Sequence, residues 1–424
     1  MTIAELHHLF LDYPTVCTDS RSIPAQSIFF ALKGTHFNGN AFAAEALNKG
    51  AAYAVVDEKQ YATSTHIIVV DDVLETLQNL ARYHRNYCTA TIIALTGSNG
   101  KTTTKELIYN VLSKKYKTIA TKGNLNNHIG VPLTLLSIEA DTEIAIVEMG
   151  ANHQKEIAFL CSIATPDFGY ITNFGKAHLE GFGGEEGVIK GKSELYDYLI
   201  SHNKRVCINA DDPIQQLKWR QHQPTFGFSE SDNKFYHIQF LEANPFVHLS
   251  GANTLIETQL IGSYNFHNCA AAVAFGLYLK VPLIAIKAAI EAYIPKNNRS
   301  QLLQKNGHHI ILDAYNANPS SMKAALDNFK MLSGERKVLF LGDMFELGAA
   351  AEEEHQRIVD HVSELGFEKV ILVGENFYRT TCSFPKFRTY SDLEVNIANL
   401  GLHKNQILIK GSRGMALERI LEAL

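Results

Sequence analysis

The stretch "TIIALTGSNGKTTTKELI", from Thr91 to Ile108, constrains this chain more than any other. Apolar and β-branched residues run up to Gly97, a second glycine follows at Gly100, and Lys101 with three threonines opens a helical pattern. A strand that ends in a glycine turn and restarts as a helix is the unit of an α/β fold with parallel strands. In such a turn Gly97 and Gly100 let backbone N–H groups converge on an anion, and the helix N-terminus adds its positive end. Ser98 and Asn99 fill the turn. Lys101 is expected against the β- and γ-phosphates of a nucleotide, Thr102 on Mg²⁺, and the helix is expected to begin at Thr103. Leu95 stands where the first glycine of G-x-x-x-x-G-K-[ST] would be, so the loop is a shorter variant. The competing reading is a glycine turn beside a surface lysine. The loop by itself indicates a nucleoside triphosphate and leaves the reaction open.

At 424 residues the chain exceeds what one core usually holds. Three regions differ in texture. Residues 1–84 hold short strand-like runs ("SIFFAL", "AAYAVVDE", "HIIVVDD"). Residues 85–298 alternate apolar strands with helical stretches ("TIIALTG", "EIAIVEMG", "FGYITNF", "RVCINADD"), with antiparallel edge strands expected over 223–262. The alternation restarts over 299–424 ("HHIILDAYN", "KVLFLGDM", "KVILVGE", "QILIKGSRG"). These limits predict three α/β domains.

Composition excludes several classes. Net charge is −5 with no basic block, which argues against a nucleic-acid partner. No apolar run approaches the ~20 residues that span a membrane, and the N-terminus lacks a signal-peptide pattern. Six scattered cysteines without a CxxC pair fit reduced thiols, so a cytoplasmic location is expected.

The segments "LTGSNGKTTTKE", "NLNNHIGVPLTLL", "VEMGANHQKEI", "ITNFGKAHLEGFGGEEGVIKGKSELY", "SYNFHNCAAAVA" and "ILDAYNANPSSMKAAL" together resemble the Mur ligases of bacterial cell-wall synthesis. The resemblance runs almost end to end. It implies a small N-terminal α/β domain that binds a UDP-sugar, a central P-loop ATPase-like domain with a parallel sheet, and a Rossmann-like C-terminal domain. It also implies ATP-driven amide formation: a substrate carboxylate takes the γ-phosphoryl group, and an amine then displaces phosphate from the acyl carbon. "DAYNANPSSM", "FLGDMFELG" followed by His355, and "LIKGSRGMALE" point within the family to UDP-N-acetylmuramoyl-tripeptide and D-alanyl-D-alanine as substrates, handled by a monomer.

The resemblance also assigns residues. Thr102, Glu148, His178 and Lys192 are implied to hold two Mg²⁺ ions, with Lys192 carbamylated and Lys190 as the neighbour easily mistaken for it. Lys101, Glu148, His178 and Lys192 are the implied catalytic set. Gly97, Ser98, Asn99, Gly100, Lys101, Thr102 and Thr103 would cradle the phosphates. Asn268 would meet the adenine edge, Asp313 the ribose, and Arg299 the phosphates. Ser20 and Arg21 would read the UDP moiety, although His36 and Asn38–Gly39–Asn40 depart from the family's acidic run. Asn127, Asn316 and Asn318 would contact substrate, and Tyr315 would lie near the dipeptide or the nucleotide. Lys410, Ser412 and Arg413 would meet the γ-phosphate or a carboxylate. The alternatives are a sister Mur ligase, a folylpolyglutamate synthetase-like ligase, a P-loop kinase, or a non-catalytic nucleotide-binding module.

Overall fold

A computed structural model describes residues 1–296, 298–334 and 336–424. Its α/β architecture is organised around three main sheets. Strands Val16–Cys17, Ile28–Phe30, Tyr53–Val56 and Ile67–Val69 form a small parallel sheet near the N-terminus. Helix Ile3–Asp12, started by a Thr2–Glu5 capping box, packs on helix Val73–Tyr87. That second helix leans on Gly130–Leu135 and Glu156–Ala164 of the central unit.

The central sheet has nine strands. Thr91–Thr96 lies inside it, between Phe168–Ile171 and Ile144–Glu148. Ile92, Ile93, Ala94 and Leu95 are all buried, as are Ile146 and Val147. Burial on both faces is why these strands read as continuous apolar runs rather than alternating ones. Helix Lys101–Leu112 covers one face with Asn265–Tyr278 and Leu283–Glu291. From Thr91–Thr96 the chain builds the strands on one side, Thr118–Ala120 and Ile144–Glu148, and then crosses to Phe168–Ile171 on the other, so the loop after Thr91–Thr96 sits at a switch point, where open α/β sheets bind ligands.

Two expectations need correction. The helix begins at Lys101, not Thr103, because Gly100 adopts a left-handed conformation (φ 80°) and closes the turn earlier. Within 223–262, Thr225–Ser229 extends the sheet in parallel to Arg205–Asn209; only the meander Tyr236–Ala243, Phe246–Gly251 and Thr254–Ile261 is antiparallel.

The C-terminal sheet runs in the order Gln301–Lys305, His308–Asp313, Gln406–Lys410, Lys337–Gly342, Lys369–Val373 and Lys386–Phe387. All pairs but the first are parallel. Asp313 and Lys410 are partners in register at the carboxyl ends of two adjacent strands. Among the described residues no helix is long and apolar enough to cross a membrane, and all six cysteines are free.

Candidate active site

A cleft of about 1200 Å³ opens where the carboxyl ends of the central and C-terminal sheets face each other. Ser98 to Thr103, Glu148, His178 and Asn268 line one side, and Asp313, Tyr315, Asn316, Asn318 and Lys410 the other.

The phosphate loop is held from beneath. Gly97 has φ 139°, and a methyl there would run into Thr172 Oγ1. Thr172 Oγ1 and Asn173 Nδ2 both donate to the Asn99 carbonyl, at 2.6 and 3.0 Å, while the Asn99 N–H donates to Asn173 Oδ1 at 3.0 Å. Lys101 Nζ donates to the Gly97 and Ser98 carbonyls at 2.7 and 3.2 Å. Burial holds this ammonium below the usual lysine range; Glu148 opposes the shift and Arg299 adds to it.

Glu148 ends its strand with both carboxylate oxygens engaged and 1% of its surface exposed. Thr102 Oγ1 donates to one oxygen at 3.0 Å and Asn126 Nδ2 to the other at 2.8 Å. Lys105 Nζ lies 3.5 Å from the first. A hydroxyl and a carboxylate side by side are the hard oxygen donors that Mg²⁺ prefers, so Thr102 and Glu148 fit one ion.

The residues expected around a second metal have other partners here. His178, in a left-handed turn (φ 54°), places Nδ1 2.5 Å from Glu346 of the C-terminal unit. Lys192 is fully buried; its Nζ donates to the Ala151 carbonyl at 3.0 Å and stands 4.8 Å from the Phe182 ring centre. Among the described residues no three His, Cys, Asp or Glu side chains form a metal-ready group. Lys190 is exposed, whereas burial, reinforced by the charge of Lys101, pushes Lys192 well below an ordinary lysine.

Other residues take places the sequence did not indicate. Asn268 sits against the loop rather than apart from it: its Oδ1 accepts from Thr104 Oγ1 at 3.0 Å and its Nδ2 donates to Asn265 Oδ1 at 2.8 Å. A methyl on Gly100 would meet that oxygen at 2.5 Å. Asn127 lines the cleft but spends its carbonyl on the Ile129 and Gly130 amides; the neighbouring Asn126 is the one that reaches Glu148. Ser20 and Arg21 are absent from the cleft lining. Arg21 is 87% exposed and paired to Asp19 two residues away, which short spacing in one turn dictates.

On the far side, Asp313 accepts from Lys410 Nζ at 2.6 Å and from the Ser300 N–H at 3.1 Å. Asn316 is exposed to the cleft. Asn318 caps helix Pro319–Met331 and also pairs with Asn99. Arg299 lies 3.7 Å over the Tyr315 ring. His355 is a scaffold residue: fully buried, its Nε2 accepts from the Met344 N–H at 3.0 Å, fixing the turn in which Asp343 receives the Asn376 and Phe377 amides. Sequence reading missed Lys105, Asn173 and Thr172. Lys105 had a signal, since it lies four residues after Lys101 and so on the same helix face.

An anion cradle and a hard-oxygen pair, faced across a cleft by a second α/β unit, define the class: a phosphate-loop enzyme that brings a nucleotide and another substrate together between two units. Comparison with known proteins narrows it. Family models match in succession: Mur ligase family, catalytic domain, over 13–85; Mur ligase middle domain over 95–276; and Mur ligase, glutamate ligase domain, over 298–412. The chain is 33% identical to the UDP-N-acetylmuramoyl-tripeptide–D-alanyl-D-alanine ligase of Bacillus subtilis, over 96% of this chain and 92% of that one. A crystal structure of MurF from Acinetobacter baumannii superposes with a TM-score of 0.86 at 32% identity, covering 96% and 92% of the two chains. MurF from Thermotoga maritima, in complex with ADP, gives 0.83 at 27% identity over 96% of each. The chain belongs to the Mur ligase family.

Proposed function

We propose that this chain is an ATP-dependent ligase that joins D-alanyl-D-alanine to UDP-N-acetylmuramoyl-tripeptide in peptidoglycan synthesis, as a monomer in the cytoplasm. Near full-length similarity to ligases of that name is the observation that carries the reading. The cleft supplies what the chemistry needs. The tripeptide carboxylate attacks the γ-phosphorus, the bond to the β-phosphate oxygen breaks, and ADP leaves. The dipeptide amine then attacks the acyl carbon and phosphate departs.

Loop amides from Gly97 to Thr103, with Lys101, stabilise charge developing on the transferred group. Thr102 and Glu148 would hold a Mg²⁺, which neutralises phosphate charge when bound. Arg299 and Asp313 present the C-terminal unit to the phosphates and ribose, and the contacts across the cleft serve to keep water from the acyl phosphate. Asn268 steadies the loop beside the base. The three sheet-centred units divide the work: residues 1–84 take the UDP-sugar through the turn at Ser20 and Arg21, 85–298 take ATP, and 299–424 take the dipeptide, with Asn127, Asn316 and Asn318 along the substrate path.

Lys192 extends the reading. A buried lysine shifted toward its neutral amine is the form that reacts with CO₂, giving a carbamate and releasing a proton. The carbamate would turn a cation into an oxygen ligand for a second Mg²⁺, toward which His178 would turn. A panel of UDP-muramoyl peptides of different length, crossed with D-alanyl-D-alanine and single amino acids, tests the function. Turnover confined to tripeptide plus dipeptide supports it. Turnover with a single amino acid would mark a sister ligase.

A further inference from the structure

On its C-terminal side the cleft carries an arginine with no carboxylate partner among the described residues. Arg413 follows strand Gln406–Lys410 and is exposed, with Nη1 3.4 Å from Tyr315 Oη and its guanidinium 5.2 Å from the ring centre. Among the described residues no carboxylate lies within 4.0 Å of Arg413, whereas the nearby Lys410 is committed to Asp313. The turn that carries it is pinned: the Ser412 N–H donates to the Asp343 carbonyl at 3.1 Å, and Ser412 Oγ accepts from the Phe345 N–H at 3.0 Å. Phe345, 42% exposed, stands beside that turn so closely that a methyl on Gly414 would meet its ring at 2.8 Å. A fixed arginine beside a bare aromatic ring suits a small molecule that ends in a carboxylate and carries a methyl group.

We propose that Arg413 binds the C-terminal carboxylate of the incoming dipeptide, and that Phe345 packs against its terminal methyl. This rests on the ligase reading above. The dipeptide must point its amine at the acyl carbon beside the phosphate loop, so its carboxylate lies about two residues away, roughly 7 Å. Arg299, which lines the cleft 3.7 Å over the Tyr315 ring, is the cation that the ligase reading gives to the phosphates. With Arg299 assigned to the phosphates, the exposed Arg413 beside Phe345 is left for the second substrate. Guanidinium geometry matches a carboxylate through two parallel hydrogen bonds, which an ammonium does not reproduce.

The test compares wild type, Arg413→Lys and Arg413→Gln with two acceptors: D-alanyl-D-alanine and its C-terminal amide, which keeps the amine and both methyls. Wild type should prefer the free acid, and Arg413→Gln should raise KM for the acid roughly 10- to 100-fold with KM for ATP unchanged. Arg413→Lys should recover part of that loss. With the amide, wild type and Arg413→Gln should perform alike. An equal loss on acid and amide, or a rise confined to KM for ATP, would overturn the assignment. A wild type inactive with the acid would instead sink the ligase reading itself, so the two failures are separable.

Discussion

Asn99 in the phosphate loop and Asn318 at a helix cap of the C-terminal unit join their side-chain amides across the cleft. Asn318 Nδ2 donates to Asn99 Oδ1 at 2.7 Å, and Asn99 Nδ2 reaches back to Asn318 Oδ1 at 3.4 Å. The loop that would grip the phosphates is therefore in register with the unit that would bring the second substrate. Lys176 reinforces the seam: its N–H donates to Ser320 Oγ at 2.8 Å and its Nζ to Glu354 at 2.9 Å.

Asn318→Ser separates the two jobs of this residue. Serine caps a helix about as well as asparagine, so the thermal midpoint should stay within about 2 °C of wild type. The amide pair is lost, and kcat/KM for ATP should fall about tenfold. Unchanged kcat/KM in a normally folded variant would show that the pair does not matter for the loop.

Lys101→Ala removes the ammonium at the loop. Loss of one phosphate-clamping charge costs on the order of 10²–10⁴ in rate. Steady-state ADP release is the measurement. Activity above a tenth of wild type would mean that Lys101 serves the loop carbonyls it bonds here and not the phosphates.

The site's legibility in the sequence follows a physical divide. The places of Gly97, Gly100 and Thr102 in the turn were readable because they follow from local backbone geometry, and that of Glu148 because it ends an apolar strand. The three main sheets were foreshadowed by apolar strand-like runs in three stretches of the chain, since a strand buried on both faces reads as a continuous apolar run. Asn99–Asn318 was not, because its members are 219 positions apart and only the packing of two units joins them. That Asn126 is the residue that reaches Glu148 was not legible, because adjacent residues in an irregular turn point differently and no periodicity says which one does. His355 stood out in the sequence with the "GDM" turn, and the structure gives that pattern a packing role.

Carbamylation of Lys192 predicts a carbamate signal when the protein is equilibrated with ¹³C-bicarbonate and read by NMR. Wild type and Lys190→Ala should show it, and Lys192→Ala should not. Lys192→Ala should also be nearly inactive and partly restored by acetate, which returns a carboxylate to the pocket. A signal that survives in Lys192→Ala, or full activity of that variant, contradicts the assignment.

His7 and His84 form a buried imidazole pair, Nε2 to Nδ1 at 3.0 Å, between the first helix and the long helix behind it. Burial first, then the neighbouring His84 and His8, pull His7 from 6.5 to about 4. The unfolded chain therefore binds the extra proton between those values, so stability is full above pH 6.5 and falls as pH drops toward 4. The urea midpoint should be lower at pH 5 than at pH 7, and that difference should shrink in His7→Gln. An undiminished difference would assign the pH effect to other groups.

In the proposed reaction one cleft couples phosphoryl transfer to a carboxylate with amide formation. Supplying UDP-N-acetylmuramoyl-tripeptide with ¹⁸O in its terminal carboxylate, together with ATP and D-alanyl-D-alanine, tests it directly by mass spectrometry of the products. One ¹⁸O should appear in the released phosphate for every amide bond made, with no net turnover when the dipeptide is omitted. Phosphate free of label, or ATP hydrolysis unaffected by either substrate, would contradict it.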